Sequence, residues 1–304
     1  MESIITVVGF LGAGKTTLLR YLIDKFTNNG WDPFVILNDY ENANIDAQQL
    51  TNKIELKSIK ALSGSCICCG GIMELRNTVN RIPERINGIT LIEANGTSDA
   101  CSLMEFLGVG INDRFFPPIQ ISVVDVKNWQ KRGEHNELES NQIQVSSLII
   151  LTHLAKTSAS RQTFVIKELK ELNPTAKIVT IDDLDVSLLP ELLPSNNTAK
   201  KFDHQKAHWA SCSTDLPKLP HINCINDICY TLPKSILRVK GCTKIGQENE
   251  YTYFERKPDG EIHIRPFNGV PITGPKLLTI GPGSEPSVLE KAISESLITA
   301  NLNQ

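Results

Sequence analysis

GFLGAGKTT, at residues 9–17, is the stretch of sequence that decides the fold. It matches the pattern GxxxxGK followed by Ser or Thr, and it lies between an apolar run at residues 4–8 and a segment whose leucines recur at helical spacing. In a strand, loop and helix of this kind, backbone N–H groups at the positive end of the helix surround phosphate oxygens. A glycine-rich turn that matches by chance is the alternative, and the flanking strand and helix disfavour it.

The rest of the first two thirds of the chain alternates apolar runs with amphipathic segments, which is typical of strands and helices in a parallel sheet. A helix is predicted from Ser158 to Leu172. The sequence therefore predicts an α/β fold, a doubly wound, mostly parallel sheet of the P-loop NTPase kind. Beyond the first strand, further strands are predicted at residues 33–38, 89–94, 119–126, 147–151 and 176–181.

The composition shifts to Pro, Asn, Lys and His near residue 190, which indicates a linker. We expect a nucleotide-binding domain at residues 1–190, a linker at 191–206 and a smaller α+β domain at 207–304. The second domain is predicted to contain a helix with Ile222, Ile225, Ile228 and Leu232 on one face, and a final helix. Its strands are predicted at 209–215, 235–241 and 276–281, with a hairpin around Pro258-Asp259-Gly260.

Each residue of the glycine-rich loop has an expected role in phosphate binding. Lys15 would reach the β- and γ-phosphates, Thr16 would supply its hydroxyl to Mg²⁺, and Thr17 would contact the α-phosphate. Lys15 is also a predicted catalytic residue because it would neutralise phosphate charge during transfer. The predicted nucleotide-binding set in this loop is Gly9, Gly12, Ala13, Gly14, Lys15, Thr16 and Thr17.

LIEANG, at residues 91–96, places an acidic residue at the end of a predicted strand, where a P-loop site needs one. Glu93 would hold Mg²⁺ through water or orient the attacking water, and Gly96 would let a backbone N–H meet the γ-phosphate. A glutamate that merely ends a strand in solvent is the alternative. Glu93 is therefore the second predicted catalytic residue.

SCICCGG, at residues 65–71, brings three thiols together in a loop flanked by glycine and serine. Thiolates favour Zn²⁺ or Cu⁺ over Mg²⁺ or Ca²⁺, so Cys66, Cys68 and Cys69 are predicted metal ligands. Small buried side chains or a redox pair are the alternatives. The other five cysteines are expected in the core, and no role is assigned to isolated histidines such as His153.

Charge and hydropathy exclude some classes of protein. The 304 residues carry 34 acids and 31 bases, a net charge of -3, so the basic excess of nucleic-acid-binding proteins is missing. No apolar run approaches the ~20 residues that cross a membrane, and the first residues contain no basic leader. We therefore expect a cytoplasmic protein with neither nucleic acid nor membrane as a partner.

GFLGAGKTT, SGSCICCGG and LIEANG, in that order, resemble the CobW-like P-loop GTPases, relatives of the nickel-insertion GTPases for urease and hydrogenase. The resemblance implies binding of GTP with Mg²⁺, and of Zn²⁺ or another divalent transition metal at the C-x-C-C loop for delivery to a metal-requiring client protein. The acidic first switch region offers Asp39, Glu41 and Asp46 as the source of a fourth ligand, and Asp39 is the predicted one. Monomer and homo-oligomer both stay open.

The sequence departs from this family in two places. NDYEN, at residues 38–42, has Glu41 and Asn42 where Gly and Glu are usual, which leaves the metal and the fourth ligand open. Thr152 to Ala155 replace the Asn-Lys-x-Asp motif that binds guanine, so we expect weak discrimination between GTP and ATP. His204 and His208 could clasp a metal, but a solvated linker is the preferred interpretation.

We interpret the sequence as that of a slow nucleoside triphosphatase that handles a transition metal. Two alternatives remain from other classes of protein. One is a small-molecule P-loop kinase or other phosphotransferase, and the other is a metal store or sensor that binds a nucleotide without hydrolysing it.

Overall fold

A computed structural model describes residues 1–38, 55–62, 71–195, 197, 211–267, 269–271, 274–281 and 283–302. These residues divide into two compact units, one on each side of the segment 198–210. The predicted linker at 191–206 lies largely outside the described residues, and its boundaries stay a prediction. Within the described ranges, no helix has the length and apolar character needed to cross a membrane.

The first unit is built on a parallel sheet. Its strands are β1 Ser3–Val8, β2 Asp32–Asn38, β3 Ile59–Leu62, β4 Gly88–Glu93, β5 Ile119–Asp125, β6 Leu148–Thr152 and β7 Lys177–Thr180. They lie in the order β3-β2-β4-β1-β5-β6-β7, and every pairing is parallel. The chain starts in the middle and builds outward on both sides, so the predicted doubly wound α/β fold is confirmed.

Within the described residues, five α-helices accompany this sheet. They are α1 Lys15–Asn28, α2 Gly71–Arg81, α3 Ala100–Leu107, α4 Asn136–Gln144 and α5 Ala159–Leu172. Helix α1 starts directly after the glycine-rich loop and buries an apolar stripe that includes Leu18, Leu22 and Phe26. Helix α5 begins as predicted, because the Ser158 hydroxyl caps it by accepting the N–H of Arg161.

The predicted strands of the first unit are all present, but the sequence pattern does not predict β3. This strand has only four residues, the exposed Lys60 interrupts its apolar pattern, and it pairs with β2 alone at the edge of the sheet. Because all the strands are parallel, their carboxyl ends meet at one edge. The glycine-rich loop follows β1 at the centre of that edge, where ligands bind in open α/β sheets.

In its described residues, the second unit is an antiparallel sheet with two α-helices. The strands are β8 Ser211–Asp215, β9 Arg238–Lys244, β10 Tyr251–Arg256, β11 Ile262–Phe267 and β12 Lys276–Ile280, and the helices are α6 Asn223–Thr231 and α7 Pro286–Leu302. The strand order is β11-β10-β9-β12-β8. The predicted hairpin is confirmed as β10 and β11, with Gly260 at a φ of 87° in the turn.

Three details of the second unit correct the sequence prediction. Ile222, expected on the helix face, precedes α6 and is 51% exposed. The strand expected at 235–241 begins three residues later, because Ile236 donates its N–H to the Pro233 carbonyl in a turn (3.1 Å). Leu232, expected on the helix face, lies just beyond the end of α6 and is buried in the same core cluster as Ile225 and Ile228.

Candidate functional site

The glycine-rich loop forms a backbone cradle at the carboxyl end of β1. Gly9, Gly12 and Gly14 have φ angles of 144°, 79° and 102°, all in the region that favours glycine. At Gly9 a side chain is also excluded by space, since a Cβ there would lie 2.4 Å from the Val123 carbonyl oxygen. Ala13 is buried and donates its N–H to the Phe10 carbonyl (3.1 Å), which closes the turn.

Lys15 and Thr17, in the first turn of α1, take different positions. The Lys15 ammonium group folds back over the loop and donates to the carbonyl oxygens of Gly9 (2.9 Å) and Phe10 (3.4 Å). Thr17, expected near the α-phosphate, has an exposed side chain at the start of α1. The cradle therefore combines a helix N-terminus with a lysine that lies over the loop, which is the chemistry that a phosphate chain requires.

Thr16 and Glu93 meet, as the sequence analysis expected of two residues at one metal site. The Thr16 hydroxyl donates to Glu93 Oε1 at 2.9 Å, although the residues are far apart in the sequence. Both offer hard oxygen ligands. A Mg²⁺ site built from one or two protein oxygens, phosphates and water has this composition, so these residues fit Mg²⁺.

The segment after Glu93 lies tightly against the cradle. A Cβ on Gly96 would be 2.6 Å from Leu11 Cδ2 and 2.8 Å from the backbone nitrogen of Leu11. Only glycine permits this approach. Gly96 is therefore in position beside the loop, and its contact with a γ-phosphate stays a prediction.

Thr152, the last residue of β6, and His153, which follows it, tie a second loop to the cradle. Thr152 Oγ1 lies 2.8 Å from the Ala13 carbonyl oxygen and 3.0 Å from that of Val124. His153 adopts a φ of 58° and its Nε2 lies 3.2 Å from the Gly12 carbonyl oxygen. The sequence analysis gave His153 no role; its contact with the loop depends on a backbone conformation that no sequence motif signals.

Ala155 stands where the guanine-binding aspartate of the motif would be. Ala155 is exposed, and its methyl group cannot accept a hydrogen bond. The loop thus keeps its anchors to the cradle but lacks the acceptor that recognises guanine.

A buried charged cluster lies behind the cradle. The Arg132 guanidinium carbon lies 4.6 Å from the centre of the Phe10 ring, and its nitrogens are 3.6 Å from Asp125 Oδ2 and 3.7 Å from Glu139 Oε1. Glu139 also accepts the N–H of Gln130 (3.0 Å). Burial raises the pKa of the Glu139 carboxyl to about 7, because desolvation outweighs the attraction of Arg132.

The predicted transition-metal ligands Asp39, Cys66, Cys68 and Cys69 lie outside the described residues, as do His204 and His208. Within the ranges that are described, no group of three or more His, Cys, Asp or Glu side chains could hold a metal ion. Cys101, Cys212, Cys224, Cys229 and Cys242 are buried, as expected. Burial raises the pKa of the Cys229 and Cys242 thiols to about 12, so these two are poor thiolate ligands.

A profile described as CobW/HypB/UreG, nucleotide-binding domain, matches residues 3–180, which is more than half of the chain. The chain belongs to the CobW/HypB/UreG family. The match covers the whole sheet of the first unit and includes the cradle, Glu93 and the segment 63–70 that carries the three clustered cysteines.

Named relatives cover part of the chain. The zinc-regulated GTPase metalloprotein activator 1 of Dictyostelium discoideum is 27% identical over 237 residues, which are 66% of this chain and 48% of that protein. The zinc chaperone YjiA of Escherichia coli K12 is 26% identical over 194 residues, 60% of this chain and 59% of that protein. This chain therefore spans about half the length of the curated relatives it matches.

A crystal structure of Zn(II)-bound YjiA GTPase from E. coli aligns with 96% of this chain and 98% of that chain, at 17% identity and a TM-score of 0.44.

Proposed function

We propose that the protein is a cytoplasmic, GTP-binding and GTP-hydrolysing metallochaperone. In this proposal it binds Zn²⁺ or a related transition metal at Cys66, Cys68 and Cys69 and delivers the metal to a client protein that requires it. The observation that supports nucleotide binding is the cradle together with the hydrogen bond between Thr16 and Glu93 beside it. Family membership and the zinc-related names of the relatives support the metal half.

Strand order supports a link between nucleotide binding and metal binding. The segment with the three cysteines follows Leu62, the last residue of β3, and Asp39 follows Asn38, the last residue of β2. Strands β3, β2, β4 and β1 are consecutive in the sheet and parallel. Leu62, which precedes the thiol segment, and Val8, which precedes the cradle, therefore end strands at the same edge of the sheet, which supports a link between the two.

Each residue has a proposed part in hydrolysis. Lys15 would neutralise charge on the transferred phosphoryl group, and Glu93 would orient the attacking water. The Gly96 N–H would contact the γ-phosphate. Mg²⁺ at Thr16 and Glu93 would supply positive charge to the β- and γ-phosphates. Turnover of the isolated protein is expected to be slow.

The free energies of metal binding explain why a metal carrier would use a nucleotide. A structural Zn²⁺ site is worth about 10–16 kcal/mol, which is too tight for a protein that must release its metal. Changing a two-state equilibrium from mostly one state to mostly the other needs only about 5.5 kcal/mol of differential binding. Nucleotide state would supply this difference by adding or removing a metal ligand.

The test is Zn²⁺ affinity of the reduced protein with a non-hydrolysable GTP analogue, with GDP and with no nucleotide. We expect at least about a tenfold difference between states, which is about 1.4 kcal/mol. The triple variant Cys66→Ser, Cys68→Ser, Cys69→Ser should lose the tight site. Lys15→Ala should bind Zn²⁺ with one affinity whatever nucleotide is added, because it no longer binds triphosphate.

Cys242→Ala is the matched control, since it removes a buried thiol in the second unit. Equal Zn²⁺ affinity of the wild type in all three states would rule out the proposed coupling. Phosphate release without an acceptor separates hydrolysis from phosphotransfer, and absence of hydrolysis with and without Zn²⁺ would favour a metal store or sensor.

A further inference from the structure

Arg132 connects the phosphate cradle to two buried acids. Its guanidinium carbon lies 4.6 Å from the centre of the ring of Phe10, a residue of the cradle. On its other side, Nη2 lies 3.6 Å from Asp125 Oδ2 and Nε lies 3.7 Å from Glu139 Oε1. The side chains of Arg132, Asp125 and Glu139 are only 7%, 5% and 6% exposed. Because water screens these charges poorly, a change of charge at either acid is felt at the cradle.

Phe10 contributes its backbone to the cradle, while its ring packs against Arg132. Its carbonyl oxygen accepts the Lys15 ammonium group (3.4 Å) and the Ala13 N–H (3.1 Å). Its ring is buried under the Arg132 guanidinium, and the centre of the His135 ring lies 6.3 Å away. A cation is attracted to the face of an aromatic ring, most strongly where water is excluded. Arg132 therefore supports the part of the loop against which Lys15 folds.

Neither acid lies within ordinary hydrogen-bond distance of Arg132. Its Nε and Nη2 are buried and have no hydrogen-bond partner among the described residues. Asp125 instead accepts the backbone and side-chain N–H groups of Asn128 (3.2 and 2.8 Å), and it lies 4.0 Å from His153 Nε2. The attraction between Arg132 and Glu139 is thus mainly an attraction between charges, so it depends on whether Glu139 is ionised.

Glu139 can change its charge near neutral pH. Desolvation raises the pKa of its carboxyl to about 7, with a contribution from Asp125 and against the attraction of Arg132 and the Gln130 N–H. With the proton bound, the charges of Arg132 and Asp125 balance. Without the proton, the cluster gains a buried negative charge that offsets the charge of Arg132. Both the added negative charge and the weaker cation disfavour an anion in the cradle.

We propose that Arg132 is a positioning residue of the phosphate cradle and that Glu139 regulates it, so that loss of the Glu139 proton weakens triphosphate binding. Linkage requires the converse, because two binding events that affect each other do so reciprocally. Triphosphate binding near neutral pH therefore transfers a proton from the solvent to the Glu139 carboxylate. This inference rests on the triphosphate site of the proposed function.

The experiment measures the affinity of the full chain for a non-hydrolysable GTP analogue with Mg²⁺, about one unit below and about one unit above pH 7. The wild type should bind more weakly at the higher pH, and Glu139→Gln, which is neutral at both, should lose that part of the change. The ratio of the two affinities should differ about threefold or more between the two proteins, as for one charge roughly 10 Å from an anion. Any contribution of His135 and His153 is common to both proteins and cancels.

Arg132→Met tests the positioning role. It removes the cation from the Phe10 ring and should weaken binding of the analogue about threefold at the lower pH, where Glu139 is neutral. Arg132→Lys should recover part of this loss, because lysine returns a cation to the same place. Equal affinity of Arg132→Met and the wild type would overturn the positioning role.

Glu2→Gln is the matched control. Glu2 is also a buried acid paired with arginines, Arg85 and Arg114, but it precedes β1, whereas the cradle follows that strand. The six residues of β1 separate the two sites by about 20 Å. This change should leave the wild-type ratio of affinities as it is.

The same ratio in the wild type and Glu139→Gln would overturn the inference and leave the proposed function intact, since Glu139 and Arg132 would then serve the fold alone. Loss of the wild-type ratio in Glu2→Gln would also overturn it, because a distant acid would then have the same effect. Failure of the wild type to bind the analogue at either pH would remove the proposed function together with the inference.

Discussion

The phosphate end and the base end of the candidate nucleotide site differ in what they offer a ligand. At the phosphate end, Asn95, Thr97 and Ser98 carry buried polar atoms that the described protein does not pair. At the base end, Thr152 and His153 contact the cradle, and the next position that could recognise a base is Ala155. One end carries buried polar atoms without partners in the described residues, and at the other Ala155 replaces the aspartate of the guanine-binding motif.

The contacts that hold the loop in place are therefore different from those that would recognise a particular base. The loop after β6, which begins at His153, is held to the cradle by two contacts. Thr152 Oγ1 contacts the carbonyl oxygen of Ala13 and His153 Nε2 that of Gly12, and neither contact depends on a base. Phosphates are common to all nucleoside triphosphates. A chain that keeps the cradle and loses the aspartate is expected to hold the phosphates firmly and to discriminate weakly among bases.

The largest expected effect comes from restoring the missing acceptor with Ala155→Asp. Two charge-assisted hydrogen bonds to guanine should add about 3 kcal/mol, or roughly a 100-fold preference for GTP over ATP. Competitive titration of the two nucleotides checks this. Lys156→Asp is the control, because it introduces a carboxylate at the neighbouring exposed position and should leave the preference unchanged.

Strong selectivity for GTP in the wild type would contradict the expected weak discrimination among bases, because a group other than residue 155 would then recognise guanine. If Ala155→Asp left the ratio unchanged, the β6 loop would not face the base.

Local patterns carried most of the fold prediction. The strand–loop–helix unit around Lys15 and the position of Glu93 after a buried strand are set by neighbours in sequence, and the structure brings Thr16 and Glu93 together. The short strand β3 could not be predicted, because pairing with β2 stabilises it and its own pattern is weak. The roles of the site residues and of the cysteine segment stay predictions.

That Thr97 Oγ1 and Ser98 Oγ have no partner among the described residues could not be predicted either. Whether a hydroxyl has a partner depends on packing between segments that are distant in sequence, and composition does not record it. The same holds for His153, whose contact with Gly12 requires a left-handed backbone at a single position.

A second test, of comparable size, concerns the buried charged cluster of Arg132, Asp125 and Glu139. Burial raises the pKa of Glu139 to about 7 from an ordinary value of 4.5, while the buried Nε and Nη2 of Arg132 have no hydrogen-bond partner in the described part of the chain. Between these pH values the folded protein binds a proton that the unfolded chain has lost. This contribution to stability is therefore complete below pH 4.5 and is lost as the pH rises through 7.

Glu139→Gln should remove that pH dependence. The wild type should lose about 3 kcal/mol of unfolding free energy relative to the variant on going from acid to mildly alkaline pH, since each pKa unit is worth about 1.4 kcal/mol. Urea unfolding at several pH values measures the difference. The exposed Glu171→Gln is the control, and parallel curves for wild type and Glu139→Gln would mean that Glu139 keeps its ordinary pKa.

The smallest effect gives the most direct comparison, because it applies one substitution to a paired and to an unpaired hydroxyl. Thr152→Val removes a hydroxyl that lies within hydrogen-bond distance of two carbonyl oxygens, of Ala13 and Val124, and should lower the unfolding free energy by about 1 kcal/mol. Thr97→Val removes a hydroxyl with no partner in the described residues and should leave the nucleotide-free protein equally stable or more stable. Denaturant unfolding without nucleotide measures both. Because valine has the shape of threonine, a loss at Thr152 without a loss at Thr97 would show that the Thr97 hydroxyl does not stabilise the fold; equal losses would mean that it does.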